Sequence, residues 1–348
     1  MNKAILTPDE ILRNLHKPEL QLLGRIKLLP NDWLVVCGGF EDRSVAILEA
    51  AASEGISFNV LLINYEPFNA GNKSETIRSL CHNAGIRVSE LTYNRQEPTG
   101  FGTILTEQIR NSGARIFIDI SGMSRLLIVQ TLVALRKHPD RLDKCFIAYS
   151  EAQSYPPNEE EAALKISKLE ADPSFSIFFL SSGVYEITLV PELSSYAPAG
   201  VQTRLIAFPS LDAHQLTALR AELQPSRLSL IEGNPPSPNN QWRKKIIAEV
   251  NRLDDIPNAA RCPASTLNYQ ETLACLLKIY EDHGLYERLL ISPTGSKMQA
   301  VAVGLLRSFL DDVQIIYPTP HDFLRPESYT VGIGQMHLLP LEPFSARD

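Results

Sequence analysis

The chain has 348 residues, of which 44% are hydrophobic and 21% are charged, and its formal net charge is -7. This is the composition of a folded globular protein, and the length allows two domains or one large one. The negative net charge excludes a general attraction to the nucleic-acid backbone, so nucleic acid would need a local basic pocket.

Targeting and membrane signals are not visible in the sequence. The start, MNKAILTPDEILRNL, places Asp9 and Glu10 where a signal peptide needs an apolar run. No stretch reaches the roughly 18 consecutive apolar residues of a membrane span. Scattered cysteines without CxxC spacing favour buried free thiols in a reducing compartment, and the histidines show no metal spacing. We therefore predict a soluble cytoplasmic protein that holds no metal and no cofactor.

The predicted elements begin with a helical segment over 1–30 and continue as alternating strands and helices. Short strands rich in Val, Ile, Leu and Phe, each followed by a helix or a turn, are typical of buried parallel strands with crossover helices. In the first half these strands are WLVVCG (33–38), FNVLLIN (58–64), IRVSELTY (86–93), RIFIDIS (115–121) and CFIAYS (145–150).

The same order of elements starts again at Thr203. The second set of strands is TRLIAF (203–208), RLSLIEG (227–233), ARCPAST (260–266), ERLLIS (287–292) and VQIIYP (313–318). Two local matches at a nearly constant offset indicate a duplication. TYNRQEP resembles TLNYQET, and DISGMSRLLIVQTLVAL resembles ISPTGSKMQAVAVGLL.

We therefore predict an α/β fold with two tandem Rossmann-like domains, each with a mostly parallel sheet and each ending in a β-hairpin. The predicted first domain covers 31–192 and includes an insertion at 152–175, read as one exposed acidic helix. A linker at 193–202 leads to the second domain, 203–348. The two predicted hairpins are GVYEITLVPE (183–192) and SYTVGIGQMHLLPLE (328–342).

Two loops that follow the predicted fourth strands combine small polar residues with a cation. Ligands of an open parallel sheet bind at the carboxyl ends of its strands, where helix N-termini attract anions. Gly295 would let the backbone approach an anion, and Lys297 would supply a charge. Alternatively, Thr294 or Ser296 only caps the helix while Lys297 reaches solvent. The matching loop of the first half offers Ser121, Gly122, Ser124 and Arg125.

The PTGSKMQ loop, with an amphipathic helix behind it and a strand and hairpin to finish, resembles the CARF (CRISPR-associated Rossmann fold) domains. The resemblance implies that Thr294, Gly295, Ser296 and Lys297 contact a cyclic oligoadenylate, and that two such domains pair around it. Ser296 stands where the family usually has a second glycine, and the specific match is one short loop of the second half. Since both halves are accounted for, the resemblance places any effector in a partner chain.

The first strand of the first half ends in CGGFEDRS, where Gly38 and Gly39 permit a tight turn. The dinucleotide fingerprint is not in register here. Arg43 could meet a phosphate while Glu41 or Asp42 bonds a ribose or an exocyclic amine. Alternatively, Asp42 or Ser44 caps the helix and Glu41 favours its dipole.

Asp119 ends the fourth strand of the first half, where burial of an unpaired carboxylate is expensive. It either has a functional role, pairs with Arg125, or caps the next helix. Tyr149 and Tyr317, at the ends of the fifth strands, either stack on a base or belong to the core.

These residues lead to two hypotheses of different classes. The first is a nucleotide-binding module, by resemblance a sensor of a possibly cyclic nucleotide in antiviral defence signalling. The second is a nucleotide- or phosphodiester-processing enzyme with Glu41, Asp42 and Asp119 as catalytic carboxylates and Arg125 stabilising developing charge. No GxSxG elbow, P-loop, or cysteine with a spaced histidine is visible. A scaffold whose sites have decayed is a third interpretation.

Overall fold

The computed structural model describes residues 7–109, 114–171, 179–196, 200–324 and 329–345. Two compact units divide the chain. Unit 1 is formed by Met1–Pro156 together with Pro326–Asp348, and unit 2 by Pro157–Arg325. Each unit has a mostly parallel sheet with helices, which confirms the predicted fold class.

The strands, in chain order, are β1 (Gln21–Leu22), β2 (Trp33–Cys37), β3 (Asn59–Glu66), β4 (Arg87–Asn94), β5 (Ile116–Asp119), β6 (Cys145–Ser150), β7 (Val184–Leu189), β8 (Gln202–Ala207), β9 (Arg227–Asn234), β10 (Ala260–Ser265), β11 (Glu287–Ser292), β12 (Gln314–Pro320) and β13 (Met336–Pro340). The predicted strands agree with these bounds to within a few residues. The central strands are buried, whereas the edge strands β4 and β10 are largely exposed or half-buried.

The helices are α1 (Pro8–Asn14), α2 (Ala46–Ala52), α3 (Ser74–Asn83), α4 (Phe101–Ile109), α5 (Arg125–Arg136), α6 (Pro139–Leu142), α7 (Glu159–Ala171), α8 (Ala213–Leu223), α9 (Trp242–Val250), α10 (Tyr269–His283) and α11 (Lys297–Phe309). The most buried are α5 and α11, which follow β5 and β11. Within the described residues no helix is both long and apolar enough to cross a membrane.

The two sheets have the same strand order. Unit 1 runs β1-β13-β6-β5-β2-β3-β4, and unit 2 runs β7-β12-β11-β8-β9-β10 when read from the corresponding edge. In each, the first strand of the repeat lies in the middle and one antiparallel strand pairs with the last parallel strand. This repeated order agrees with the predicted duplication, and β1 is an addition at the edge of unit 1.

The predicted hairpins are wrong. Each of those segments contributes one strand, and that strand belongs to the other unit. β7, which follows the first half, pairs with β12, and β13, which follows the second half, pairs with β6. An antiparallel edge strand is specified by its partner rather than by its neighbours in the chain, so sequence order alone does not assign it.

The unit bounds consequently differ from the predicted domains 31–192 and 203–348. The C-terminal residues from Pro326 belong to unit 1, while β7 and the predicted linker 193–202 belong to unit 2. The predicted insertion at 152–175 contains α7, which is part of unit 2 rather than an appendage of the first domain. Its Ala162 and Ile166 pack with Leu211 and Ile246, so one face of this helix is core. In the predicted helical segment 1–30, the described residues 7–30 form α1 and β1.

The cysteine prediction is correct for three of the five residues. Cys37, Cys81 and Cys145 are buried free thiols. Cys262 on β10 and Cys275 on α10 instead form a disulfide. Their spacing matches no motif, and the pair meets only because α10 packs against the strand that precedes it.

Candidate functional site

The loops after β2 and β5 lie directly against each other in unit 1. A Cβ atom on Gly39 would lie 2.9 Å from the carbonyl oxygen of Gly122, and one on Gly122 would lie 2.3 Å from the carbonyl oxygen of Cys37. Side chains at either position would separate the two strand ends. This close backbone contact is a packing reason for Gly39 and for Gly122, the second of which the sequence suggested as a ligand contact.

Arg43 and Glu41 form a buried ion pair at this strand exit. The guanidinium Nη2 lies 2.6 Å from Oε2 of Glu41, and Nε donates to the same oxygen at 2.8 Å. Nη1 donates to the hydroxyl of Tyr149 at 2.9 Å, and the guanidinium lies 5.6 Å from the ring centroids of Tyr149 and Tyr155. The hydroxyl of Thr330 donates to Glu41 at 3.0 Å.

The charge of Arg43 is retained in spite of its burial. Desolvation opposes the charged form, but the carboxylate of Glu41 and the neighbouring Tyr149 and Tyr155 outweigh it, so the pKa of Arg43 is raised. Arg43 is 4% exposed. Both groups are therefore engaged inside the unit, and Tyr149 belongs to the core, as one of the two interpretations predicted.

Asp42 has a different environment from the other two predicted catalytic carboxylates. It is exposed, and its Oδ1 lies 3.1 Å from Nζ of Lys73. Asp119 is buried, and its Oδ1 accepts a hydrogen bond of 2.9 Å from the backbone N–H of Ser121. One interpretation expected Asp42 or Ser44 to cap a helix, but neither helix start here has a side-chain cap. The hydroxyl of Ser44 donates to the carbonyl oxygen of Glu41 instead.

The loop after β5 is held by Tyr65. Its hydroxyl accepts a hydrogen bond of 2.6 Å from the backbone N–H of Ser124 and donates one of 3.2 Å to the carbonyl oxygen of Gly122. Burial raises the pKa of Tyr65 well above its ordinary value, so the phenol remains protonated and can donate. The hydroxyl of Ser121 accepts from the backbone N–H of Ser150 at 2.8 Å, which ties this loop to β6.

Ser124 and Arg125 begin α5. The hydroxyl of Ser124 is the N-cap and accepts from the N–H of Leu127 at 3.2 Å. Arg125 is the first helical residue and is partly exposed. Because Arg125 is the first helical residue, its charge lies at the positive end of the helix dipole. No acidic residue lies in the same turn.

The corresponding loop of unit 2 also ends in a serine that caps the next helix. The hydroxyl of Thr294 donates to the carbonyl oxygen of Phe208 at 2.8 Å, which joins the exits of β11 and β8. Ser296 is the N-cap of α11 and forms a capping box with Gln299. The hydroxyl of Ser296 also donates to the carbonyl oxygen of Thr266 at 2.5 Å. The predicted capping role of Ser296 is therefore confirmed.

Gly295 and Lys297 lie on either side of the N-cap Ser296. A Cβ atom on Gly295 would lie 2.3 Å from Oε1 of Gln299, so the glycine makes room for the capping box. Lys297 is the first residue of α11, as Arg125 is of α5, and it is also partly exposed with no acidic residue in the first turn. Both units thus present a cation at the same helix position.

The exit of β8 in unit 2 differs from that of β2 in unit 1. The backbone N–H groups of Leu180 and Ser181 donate to Oδ1 of Asp212, and the hydroxyl of Ser181 lies 3.1 Å from Nε2 of His214. Burial lowers the pKa of His214, although Asp212 opposes this effect. Tyr317, at the end of β12, is buried and belongs to the core.

Several residues near the strand exits of unit 1 are not predicted from the sequence, because they contact the site from distant parts of the chain. Tyr65 comes from β3, and Thr330 and His337 come from the C-terminal segment. His337 is hydrogen-bonded to Glu151, which directly follows β6. No local motif signals them. Across the described part of the chain, no three His, Cys, Asp or Glu side chains come together in a way that could hold a metal ion.

Comparison with known proteins provides no family for this chain. No family model matches it, and no curated protein does. One similar solved structure is the cytoplasmic domain of a prokaryotic cation chloride cotransporter, with 10% identity, coverage of 83% of this chain and 95% of that chain, and a TM-score of 0.23.

Two ketoreductases are also similar. A C2-type ketoreductase from a modular polyketide synthase has 13% identity, coverage of 84% of this chain and 78% of that chain, and a TM-score of 0.20. A ketoreductase domain from the bacillaene assembly line has 10% identity, coverage of 94% and 76%, and a TM-score of 0.18. Likenesses of this size support no functional argument.

Proposed function

We propose that each unit binds a phosphate group of a nucleotide at its own loop, Ser121–Arg125 in unit 1 and Thr294–Lys297 in unit 2. The observation that carries the proposal is the cation at the first position of both α5 and α11. A cation there opposes the helix dipole, whereas an anion bound at the same place would be stabilised by the dipole and the cation together.

The resemblance to CARF domains extends this proposal to a second messenger. It suggests a cyclic oligoadenylate as ligand, a role in antiviral defence signalling, a cytoplasmic location and an effector protein in a partner chain. The contacts within each loop indicate which residues would contact the phosphate. The hydroxyls of Ser124, Thr294 and Ser296 are engaged inside the protein, and those of Ser124 and Ser296 already cap the N–H groups of Leu127 and Gln299. The cations are therefore the main phosphate contacts.

The enzyme hypothesis has less support from the geometry. Oε2 of Glu41 already accepts hydrogen bonds from Arg43 and Thr330 within the buried cluster. Asp42 is exposed and paired with Lys73. We therefore propose a nucleotide-binding protein. The experiment below also detects whether the protein consumes the nucleotide.

A nucleotide panel tests the proposal. The purified chain is mixed with linear and cyclic mono- and oligonucleotides, with and without a divalent metal, while its melting temperature is recorded and the nucleotides are analysed by chromatography. A saturable rise in melting temperature with unchanged nucleotide supports the binding protein. Metal-dependent consumption that is lost in Asp119→Asn would support the enzyme, and no shift with any nucleotide would contradict the proposal.

A further inference from the structure

Three buried hydrogen-bond donors without an acceptor meet at the amino ends of the strands of unit 2. They are Nε of Arg288, Nε of Arg307 and Oγ of Ser195, and none has a hydrogen-bond partner among the described residues. Buried polar groups in folded proteins are nearly always paired, so each exception needs an explanation. Here all three groups can donate, which indicates one missing acceptor rather than three separate defects.

The three residues are linked through two neighbours. Oε1 of Gln314 accepts from Nη2 of Arg288 at 2.9 Å and from the backbone N–H of Ser195 at 3.1 Å. Arg307 donates from Nη2 to the carbonyl oxygen of Ser194 at 3.3 Å. The hydroxyl of Ser194 lies 3.4 Å from Nε2 of Gln314. Arg307 therefore contacts Ser194 directly, and Arg288 is connected to Ser195 through Gln314.

The charge on Arg307 is incompletely balanced within the protein. Its side chain lies in the last turn of α11 and is 7% exposed, and its two described hydrogen bonds are to the carbonyl oxygens of Ser194 and Leu310. Burial lowers its pKa, and the nearby carboxylates of Asp311 and Asp312 only partly offset this effect. A bound anion would compensate the buried charge.

We propose that Arg288, Arg307 and Ser195 form an oxyanion site that takes a phosphate group. Two arginines and a hydroxyl are the donors that phosphate oxygens prefer, because a guanidinium can offer two parallel N–H groups to one phosphate. Ser194 is exposed and Arg288 partly exposed, so a ligand can reach the site from solvent. The site lies at the amino ends of β11 and β12, away from the strand exits, and it is independent of the nucleotide site proposed above.

Inorganic phosphate is the probe for this site. Melting temperatures are measured in sodium phosphate and in sodium chloride of matched ionic strength and pH, and the affinity is then measured by calorimetry. We expect a saturable stabilisation specific to phosphate. Arg288→Gln should weaken phosphate binding by about tenfold or more, and Ser195→Ala should weaken it less. Arg220→Gln, which changes an exposed arginine in the last turn of α8, should leave it unchanged.

Controls separate this site from the strand exits and from adventitious binding. The phosphate effect should persist in a variant that carries both Arg125→Gln and Lys297→Gln, because those residues belong to the other site. Loss of the effect in that variant would overturn the inference, as would equal stabilisation by chloride or equal weakening in Arg288→Gln and Arg220→Gln. Arg288 is changed rather than Arg307 because a partly exposed side chain is less critical for folding.

Discussion

The hydroxyl of Thr330 donates a hydrogen bond of 3.0 Å to Oε2 of Glu41, although 289 residues separate them in the chain. The same oxygen accepts from Arg43. The exchanged C-terminal segment, which includes β13, is therefore connected to the exit of the first central strand through a buried charge. This hydrogen bond adds to the pairing of β13 with β6 and β1 that joins the first and last parts of the chain in one unit.

Removing the charge of Glu41 should destabilise unit 1 strongly. Glu41→Gln leaves the buried Arg43 without its counter-ion, which we expect to cost about 3–5 kcal/mol. Thr330→Val should cost about 1 kcal/mol, since it removes one hydrogen bond. Asp42→Asn, which changes an exposed ion pair, should change stability by less than about 1 kcal/mol. Urea unfolding measures all three, and an equal loss in Glu41→Gln and Asp42→Asn would contradict the buried pair.

A side chain at Gly122 should not be tolerated. Its Cβ would overlap the carbonyl oxygen of Cys37, which is backbone and cannot rotate away. Gly122→Ala should therefore lower the free energy of unfolding by about 1–3 kcal/mol or more. Gly24→Ala is the control, because a Cβ atom there meets nothing within 4 Å. Similar stabilities of the two variants in chemical unfolding would show that the β2 and β5 loops do not touch as described.

His214 should make stability depend on pH. Its pKa is lowered in the folded chain, chiefly by burial, so the unfolded chain binds this proton more readily. Its contribution to stability is therefore complete above the ordinary value of 6.5 and is lost as the pH falls from there toward the lower folded pKa. His214→Gln should flatten the pH dependence of the free energy of unfolding in that window. The exposed His82→Gln should not, and an unchanged slope in His214→Gln would refute this assignment.

The cysteines should fall into two classes of reactivity. Burial raises the pKa of Cys81 to about 11 and that of Cys145 to about 12, so these thiols should react with iodoacetamide only after unfolding. Cys262 and Cys275 should be protected until a reductant is added. Mass spectrometry of alkylated peptides distinguishes the classes. Rapid labelling of Cys262 in the native, unreduced chain would contradict the disulfide.

The sequence predicts those features of the fold that depend on local pattern. The sequence predicts buried strands such as CFIAYS at their observed bounds, since apolar β-branched runs followed by helices indicate parallel strands. The N-cap role of Ser296 is also recognisable from the sequence, because a hydroxyl just before an amphipathic helix commonly caps it.

What the sequence does not predict depends on contacts between distant residues. The exchange of β7 and β13 is invisible because either segment fits the antiparallel edge of either sheet. The engagement of Glu41 by Arg43 and Thr330 also requires the folded chain, since a carboxylate near a strand end looks the same whether it serves a ligand or a structural pair. The Arg288–Arg307 cluster joins residues from β11 and α11 that no motif relates.

The most direct test of the central claim is the affinity of the strand-exit loops for the nucleotide that stabilises the chain best. Calorimetry compares the unmodified protein with Arg125→Gln and Lys297→Gln, and with Lys137→Gln, which removes an exposed cation at the opposite end of α5. We expect each of the first two variants to weaken binding at its own loop by at least about tenfold and the third to bind normally. Unchanged affinity in both Arg125→Gln and Lys297→Gln would contradict the proposal that these loops bind phosphate.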